Sequence, residues 1–233
     1  MKYSFTSRIR YSEIGEDGNL TLPGLINYFQ DCSTFQSEAI GEGVAELKKR
    51  GCAWVLSAWQ IHVRRYPSLG EAVKITTWAS GFKGFLGMRN FTMETEDGEM
   101  LACANSIWSY MDMKKGRPVR PLADEVEAYG TGRPLDMEYA DRKIALPEGF
   151  VECPSFPVRK YHIDTNEQVN NCQYVQMALE ALEEECKEQE NAFLKQIAAM
   201  EVQFNAAKQR EWEAWKATSV PATTAGGGSN GSG

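Results

Sequence analysis

Residues 54–63 read WVLSAWQIHV and open the part of the sequence that decides the fold. Apolar and polar residues alternate from Trp59 to Val63, and β-branched and aromatic residues are frequent along the whole stretch, as in a half-buried strand. Further strand-like stretches are VKITTW at 73–78, FLGMRNFTM at 85–93 and MLACANSIWSYM at 100–111. Turn residues separate them, with PSLG at 67–70, SG at 80–81 and EDGE at 96–99. The pattern predicts an antiparallel sheet of long strands.

A helix is expected before these strands. Between Leu22 and Ile40, apolar residues recur at helical spacing, and Pro23 suits a first helical turn. They are Leu25, Ile26, Phe29, Cys32 and Phe35. One long helix followed by long strands indicates a sheet wrapped on a central helix, the α+β arrangement called a hotdog fold. The first hotdog domain is assigned to residues 1–116.

The rest of the chain begins to repeat this order. Residues 117–154 are rich in proline, glycine and charge, and we interpret them as a linker. Beyond it, residues 156–161 have strand character and a helix begins near Val169. Leu25–Tyr28 and Asn171–Tyr174 occupy matching places after a strand and a polar turn. Residues 155–220 are therefore predicted to form a second hotdog domain, which makes the chain a double hotdog.

The second domain departs from the first after Leu182. The octet EEECKEQE at 183–190 favours a helix, and apolar residues continue at heptad-like spacing through Phe193, Ile197, Met200, Phe204 and Ala207. We therefore expect one long C-terminal helix from about Val169 to Lys216, which replaces the second sheet and leaves the second unit incomplete. In the alternative, residues 199–204 remain a strand. Residues 221–233 have the composition of a flexible tail or an added linker.

An incomplete second unit needs another cover for its apolar surface. A homodimer would supply that cover, because hotdog sheets can pair edge to edge. Trp212 and Trp215 are suited to anchor such a contact.

Composition excludes several classes of function. The net charge of -7 disfavours nucleic-acid binding, which depends on surplus lysine and arginine. The sequence has no apolar run near the ~20 residues that cross a bilayer, and its first residues lack a secretion signal, so a cytoplasmic location is expected. The 6 cysteines are scattered and only 2 histidines are present, so no metal or redox cofactor is expected.

The segment YHIDTNEQVNNCQY at 161–174 is the best candidate for chemistry. It places a carboxylate and several amides immediately before a predicted helix. Free backbone N–H groups at a helix N-terminus can hold an oxyanion, and Asp164 could orient a water molecule there. In the alternative, Asp164 or Asn166 only caps the helix. Spacing alone favours the capping role.

The same segment resembles the signature D-x-N-x-H-V-N-N-x-x-Y of the acyl-acyl carrier protein thioesterases. Upstream stretches are also similar to that family, and the resemblance covers roughly residues 1–182. They are WVLS at 54–57, P-x-x-GE at 67–71, TW at 77–78, RNF at 89–91, S-x-W at 106–108 and RP at 117–118. The resemblance implies hydrolysis of fatty acyl-acyl carrier protein thioesters, with acyl carrier protein as the partner. It also implies catalytic roles for Asp164, Asn166 and the residue at position 168, with a later acidic or cysteine residue. On the strand alternative, that later residue is Glu201.

Gln168 departs from the family pattern, because the family has histidine there. Glutamine cannot exchange a proton near neutral pH, so the resemblance implies an impaired hydrolase. His162 is a poor substitute, since it is expected on the strand side of the turn and partly exposed. The rival interpretation is a non-catalytic hotdog module that binds acyl chains or serves as an engineered scaffold for oligomerisation.

Overall fold

The structure is a computed structural model that describes residues 1–141, 144, 155, 157–181 and 201–203. Four helices and seven strands lie in these residues, besides two short 3-10 helices at Tyr11–Glu13 and Lys160–His162. The helices are α1 (Leu22–Ala39), α2 (Val44–Arg50), α3 (Ala123–Tyr129) and α4 (Asn171–Glu180). The strands are β1 (Tyr3–Arg8), β2 (Cys52–Val63), β3 (Ala72–Lys83), β4 (Leu86–Thr95), β5 (Met100–Asp112), β6 (Arg117–Pro118) and β7 (Glu201–Gln203).

All of the strand pairs are antiparallel, and the sheet order is β1-β3-β4-β5-β2-β7, with β6 paired to the end of β5. The four long strands β2 to β5 occupy the stretches that alternation predicted, and short turns join β3, β4 and β5. The sheet wraps on α1, so the α+β hotdog fold is confirmed.

The core of this unit is the buried face of α1. Phe29 is fully buried, and its ring lies 5.1 Å from that of Phe91 and 6.1 Å from that of Trp59, measured between centroids. Helix α1 begins after Thr21, whose hydroxyl accepts a hydrogen bond from the Gly24 N–H, and Pro23 stands in its first turn as expected. Aromatic packing of this size dominates the energy of a small core.

The predicted linker is packed against the sheet where the structure describes it. It contains α3, and its later residues cross the sheet face opposite α1. There, Trp78 Nε1 donates to the Arg133 carbonyl at 2.9 Å, and the Leu135 N–H donates to Asn90 Oδ1 at 3.2 Å. The Gln60 side chain donates to the Glu138 carbonyl and accepts from the Ala140 N–H. Polar side chains on the strands thus satisfy the backbone of the crossing segment.

The internal repeat is present, in a register different from the predicted one. An isolated bridge joins Ile14 to Leu20 before α1, and another joins Ile163 to Val169 before α4. Ile163 and Val169 each stand 149 positions after their counterparts. In this register Asn171–Tyr174 match residues 22–25, and not Leu25–Tyr28. The predicted match was wrong by three residues because it followed side-chain similarity, whereas the turn and the first helical residue fix the register.

The expected continuous helix from Val169 to Lys216 is contradicted at two places. Helix α4 ends at Glu180, and residues 201–203 form β7, which pairs with Ala58, Trp59 and Gln60 of β2. The strand alternative for residues 199–204 therefore fits the structure better, since an exposed edge of β2 offers unpaired backbone groups that outweigh local helix propensity. Trp212, Trp215 and residues 221–233 lie outside the described residues.

We predict that Phe29→Ala lowers the free energy of unfolding by about 3–5 kcal/mol, because it empties the centre of the core. Urea denaturation followed by circular dichroism would measure the change. The control is Phe35→Ala on the same helix, where the side chain is 44% exposed. Similar losses for the two variants would contradict this assignment of the core.

Candidate functional site

The candidate site is the turn that joins the bridge residues Ile163 and Val169. Asp164 organises this turn, since its Oδ1 accepts hydrogen bonds from the N–H groups of Asn166 at 2.8 Å and Gln168 at 3.2 Å. The backbone closes the same loop, because the Asp164 N–H donates to the Gln168 carbonyl at 2.7 Å. Asp164, Asn166 and Gln168 are all half-buried. The structure thus brings these three predicted residues together on one turn.

The helix cap is a different residue from the two proposed in the sequence alternative. Asn170 is the N-cap of α4, and its Oδ1 accepts from the Cys172 N–H at 3.1 Å. Neither Asp164 nor Asn166 caps the helix, so the capping alternative for them is wrong. The reason is that both residues lie inside the turn closed by the bridge between Ile163 and Val169, and α4 begins only after that bridge.

Glu167 has a left-handed backbone conformation, with φ of 60°. Gly18 holds the equivalent place before α1, with φ of 76°. An L-residue in this region costs roughly 1–2 kcal/mol, so the turn before α4 stores strain that the turn before α1 avoids. Such strain is common where a turn aims functional side chains.

His162 does not have the predicted setting. It lies on a 3-10 helix and is buried, and its Nδ1 accepts a hydrogen bond from the Arg159 N–H at 3.0 Å. The expectation of a partly exposed strand residue was wrong, since the chain coils tightly before Ile163. With Nδ1 occupied by a backbone donor, His162 holds the start of the turn in place.

Glu201 lies on an element separate from the other candidates. Its backbone belongs to β7 and pairs with Gln60 of β2. A role for Glu201 beside Asp164 therefore stays a prediction.

Gln30 of α1 joins the first unit to the candidate turn, and sequence reasoning missed it. Its Nε2 donates to Asn170 Oδ1 at 3.2 Å, and its Oε1 accepts from Asn171 Nδ2 at 2.5 Å. The amide thus clamps the N-terminus of α4 to α1. The sequence signal that could have identified Gln30 is its place directly after Phe29, at the border of the apolar stripe of the predicted helix.

A cavity lies between the same helix and the sheet. Its volume is about 60 Å³, and the lining residues are mostly aromatic or small: Ser33, Trp54, Ala79, Phe82, Gly87, Met88, Arg89, Trp108 and Tyr129. Ser33 stands three residues after Gln30, about 4.5 Å further along the helix axis. The cavity therefore starts within one helical turn of the clamp, although no residue of the candidate turn lines it.

Arg89 lies in the wall of this cavity and is 8% exposed. Its Nη1 donates to Gln36 Oε1 and to Thr77 Oγ1, the latter at 3.2 Å, and its guanidinium lies 5.4 Å from the centre of the Tyr129 ring. It forms no ion pair with any described residue. Burial lowers the pKa of Arg89, because a cation without a counter-charge is poorly solvated there.

Three described cysteines, Cys32, Cys103 and Cys172, are poor nucleophiles. Burial raises the pKa of Cys32 to about 12 and also raises the pKa of Cys172 at the start of α4 and of Cys103. A thiol with a raised pKa carries little thiolate at neutral pH. Within the described ranges, no group of three or more His, Cys, Asp or Glu side chains could hold a metal ion, and no helix is long and apolar enough to cross a membrane.

Comparison with known proteins identifies the family of this chain. The family model described as Acyl-ACP thioesterase N-terminal domain matches residues 1–129, and the one described as Acyl-ACP thioesterase C-terminal domain matches residues 150–211. The chain therefore belongs to the acyl-acyl carrier protein thioesterase family.

One similar relative is the chloroplastic palmitoyl-acyl carrier protein thioesterase of Gossypium hirsutum. It is 29% identical over 194 residues, which are 77% of this chain and 46% of the relative. The chain thus spans about half the length of the curated relatives it matches.

Solved structures share the fold. The acyl-ACP thioesterase of Bacteroides thetaiotaomicron superposes with a TM-score of 0.68 at 23% identity, covering 80% of this chain and 76% of the other. The 12:0-ACP thioesterase of Umbellularia californica superposes with a TM-score of 0.69 at 22% identity, covering 80% and 77%. In this chain, β7 extends the sheet beyond β2.

We predict that Asn170→Ala lowers the free energy of unfolding by about 1–2 kcal/mol, because it removes the cap and one bond to Gln30. Thermal unfolding would measure this loss. Asn166→Ala is the control, because only the backbone of Asn166 bonds to Asp164. A loss as large for Asn166→Ala would contradict the assignment of the cap.

Proposed function

We propose that this chain hydrolyses the thioester of fatty acyl-acyl carrier protein and releases a free fatty acid, at a rate limited by Gln168. The observation that carries the proposal is the turn of residues 164–168, which holds a carboxylate and two amides before the N-terminus of α4. Family membership supports the same reaction class. The expected cytoplasmic location and homodimer are part of the proposal.

The proposed chemistry begins with a water molecule at Asp164. One carboxylate oxygen, Oδ1, is engaged by two backbone N–H groups, which leaves Oδ2 to accept a proton from the water. The water oxygen adds to the thioester carbonyl carbon, and the carbonyl oxygen takes the developing negative charge. The carbonyl then re-forms as the carbon–sulfur bond breaks, and the proton held by Asp164 passes to the leaving sulfur, so that the products are a carboxylic acid and the carrier thiol.

The carbonyl oxygen needs donors during this step. The Asn166 side-chain amide and the N-terminus of α4 are proposed to supply them, since hydrogen-bond donors and the helix dipole both stabilise an oxyanion. Gln168 stands where the family has histidine and can donate a hydrogen bond, but it cannot accept a proton and pass it on. Glu201 is proposed as a further acidic group. Within the turn, proton transfer would therefore depend on Asp164 alone, which supports a slow hydrolase.

The acyl chain is proposed to enter the cavity beside Ser33. Its apolar lining suits methylene groups, and Gly87 keeps the wall open because a Cβ there would come within 3.0 Å of the Trp54 ring. The clamp at Gln30 would set the thioester near the turn while the chain lies along α1. Trp54 and Trp108 line the cavity, whereas Leu25, Phe29 and Leu56 belong to the buried core.

The second candidate is a non-catalytic protein that binds acyl chains. Gln168 favours it, since it removes the family's proton carrier while the turn and the cavity remain formed. The two candidates differ in turnover and agree in chain binding. Free fatty acid released in proportion to enzyme concentration would decide for the hydrolase.

We predict that Asp164→Ala abolishes hydrolysis of acyl-acyl carrier protein, because it removes the only proposed proton acceptor in the turn. Release of free fatty acid, quantified by mass spectrometry over several chain lengths, would measure the effect. The matched control is Asp17→Ala, since Asp17 Oδ1 likewise accepts a backbone N–H, that of Asn19, in the equivalent turn before α1. Equal activity in the wild type and Asp164→Ala would rule out the proposed mechanism.

Restoring the family residue should raise the rate. We predict that Gln168→His increases hydrolysis of a long-chain acyl thioester by a factor approaching ~10² to 10⁴, the usual contribution of general acid–base catalysis. Gln168→Asn is the control for a side-chain change at this position without a titratable group. An increase of less than a few-fold would contradict the role assigned to position 168.

Acyl carrier protein, an acidic partner, is proposed to dock on a basic surface formed by Lys48, Lys114, Lys115 and Arg117. The Met113 N–H donates to the Gly51 carbonyl at 2.8 Å, so the end of α2 lies beside the turn after β5. The four side chains are exposed. Lys115 is paired with Asp112 at 3.4 Å, whereas Arg65 is held by two carboxylates, those of Glu71 and Glu99, at 2.8 Å each, which reduces its attraction for a partner more strongly.

We predict that combining Lys114→Glu, Lys115→Glu and Arg117→Glu weakens binding of acyl carrier protein about tenfold or more at low salt, by charge repulsion. Isothermal titration calorimetry would measure the affinity. The control combines Arg8→Glu, Arg64→Glu and Lys74→Glu, which makes the same change in net charge on exposed residues elsewhere. Unchanged affinity in the first variant would exclude this docking surface.

A further inference from the structure

Arg89 is a buried cation in the wall of the cavity, where a bound ligand could contact it. Leaving a guanidinium inside a protein without a carboxylate is costly, and such groups are normally paired. Two hydrogen bonds and one aromatic ring satisfy part of Arg89, and both bonds come from Nη1. A guanidinium carries five N–H donors, so several stay available for an acceptor that enters the cavity.

The position of Arg89 along α1 shows which part of a bound chain would meet it. Gln30, Ser33 and Gln36 follow one another at three-residue spacing along the helix. Gln30 contacts the N-terminus of α4, Ser33 lines the cavity, and Gln36 is bonded to Arg89. Gln36 therefore lies about 9 Å from Gln30 along the axis. A chain whose thioester sits at the candidate turn would direct its far end to Arg89.

The size of the cavity limits how the far end can be accommodated. One water molecule needs roughly 10–15 Å³ of cavity volume. The cavity of about 60 Å³ therefore holds only the last few non-hydrogen atoms of an acyl chain. A terminal methyl group there would displace water from the guanidinium without accepting a hydrogen bond from it. A hydroxyl or carboxylate oxygen would replace the water and accept charge-assisted hydrogen bonds.

We propose that Arg89 recognises the far end of the acyl chain, and that this pocket prefers chains ending in an oxygen acceptor over chains of equal length ending in a methyl group. This inference rests on the proposed use of the cavity for the acyl chain. Arg89 is then a specificity residue that lies at the opposite end of the ligand from the thioester.

The test compares dodecanoic acid, 12-hydroxydodecanoic acid and dodecanedioic acid by isothermal titration calorimetry with the full chain. These ligands need no turnover, so the result is independent of Gln168. The decisive quantity is the ratio of the dissociation constants of the methyl-ended and the oxygen-ended ligand in each variant. Taking this ratio within each variant and comparing it between variants cancels the difference in solubility between the ligands.

We expect Arg89→Met to lower the ratio of the methyl-ended to the oxygen-ended dissociation constant by about tenfold or more, because the oxygen-ended ligand loses a hydrogen bond to a charged group. Arg89→Lys should keep part of the preference because it retains the charge. Gln36→Glu should remove the preference with Arg89 still present, since it supplies a carboxylate where Gln36 already accepts from Arg89. Arg120→Met, at an exposed position, is the control and should leave the ratio unchanged.

A ratio that is the same in the wild type, Arg89→Met and Gln36→Glu would overturn the inference and leave the proposed hydrolysis standing. Gln36→Glu keeps the test valid if Arg89→Met fails to fold, because it adds a partner to the buried cation instead of removing the cation. Failure of all three ligands to bind any variant would overturn both the inference and the proposed acyl pocket.

Discussion

The burial of α1 inside the curled sheet is the constraint on which the rest of the structure depends. Phe29, Trp59 and Phe91 fix the helix against the sheet through ring contacts of 5.1–6.1 Å. Because one side of α1 packs on the sheet and on α4, the polar residues on that side must also find partners inside the protein. Gln30 and Gln36 meet this need with side-chain hydrogen bonds, and each of those bonds positions a residue outside the helix.

The same helix thereby connects the two ends of the candidate site. At one end, the Gln30 amide holds the start of α4 and so fixes the turn that carries Asp164. At the other end, Gln36 holds Arg89 in the cavity wall. The relative position of turn and cavity is thus set by a rigid helix and does not depend on a loop. This arrangement suits a site that binds a long flexible ligand, because the two places that contact the ligand stay at a constant separation.

The sequence predicted the first unit well because its patterns are local. Alternation from Trp54 to Met111 and the helical spacing of Leu25, Phe29 and Cys32 both report one buried face, which is the strongest signal that a single sequence carries. The turn of residues 164–168 was found through its carboxylate and amides, helped by the family signature. Its membership of the site stays a prediction.

The parts that were missed depend on contacts between distant segments. Local helix propensity favoured a helix through residues 201–203, whereas pairing with β2 makes them a strand. Gln30 and Arg89 looked like surface residues by type, and only the wrapped sheet reveals that one clamps α4 and the other lies in a cavity. The register of the repeat was misjudged because side-chain identity was followed in place of the bridge residues.

The two equivalent turns also bear on how this protein could change over time. Each turn is closed by a bridge and by a carboxylate; Asp17 accepts one backbone N–H and Asp164 accepts two. The backbone hydrogen bonds within the two turns are the same, although the residue with positive φ is glycine in one and glutamate in the other. The fold therefore places little demand on the side chain at position 168, whose contacts within the turn are made by its backbone. A substitution there can change the side chain of the candidate turn without unfolding the domain, so a lineage could alter the proposed chemistry in a single step while keeping the fold.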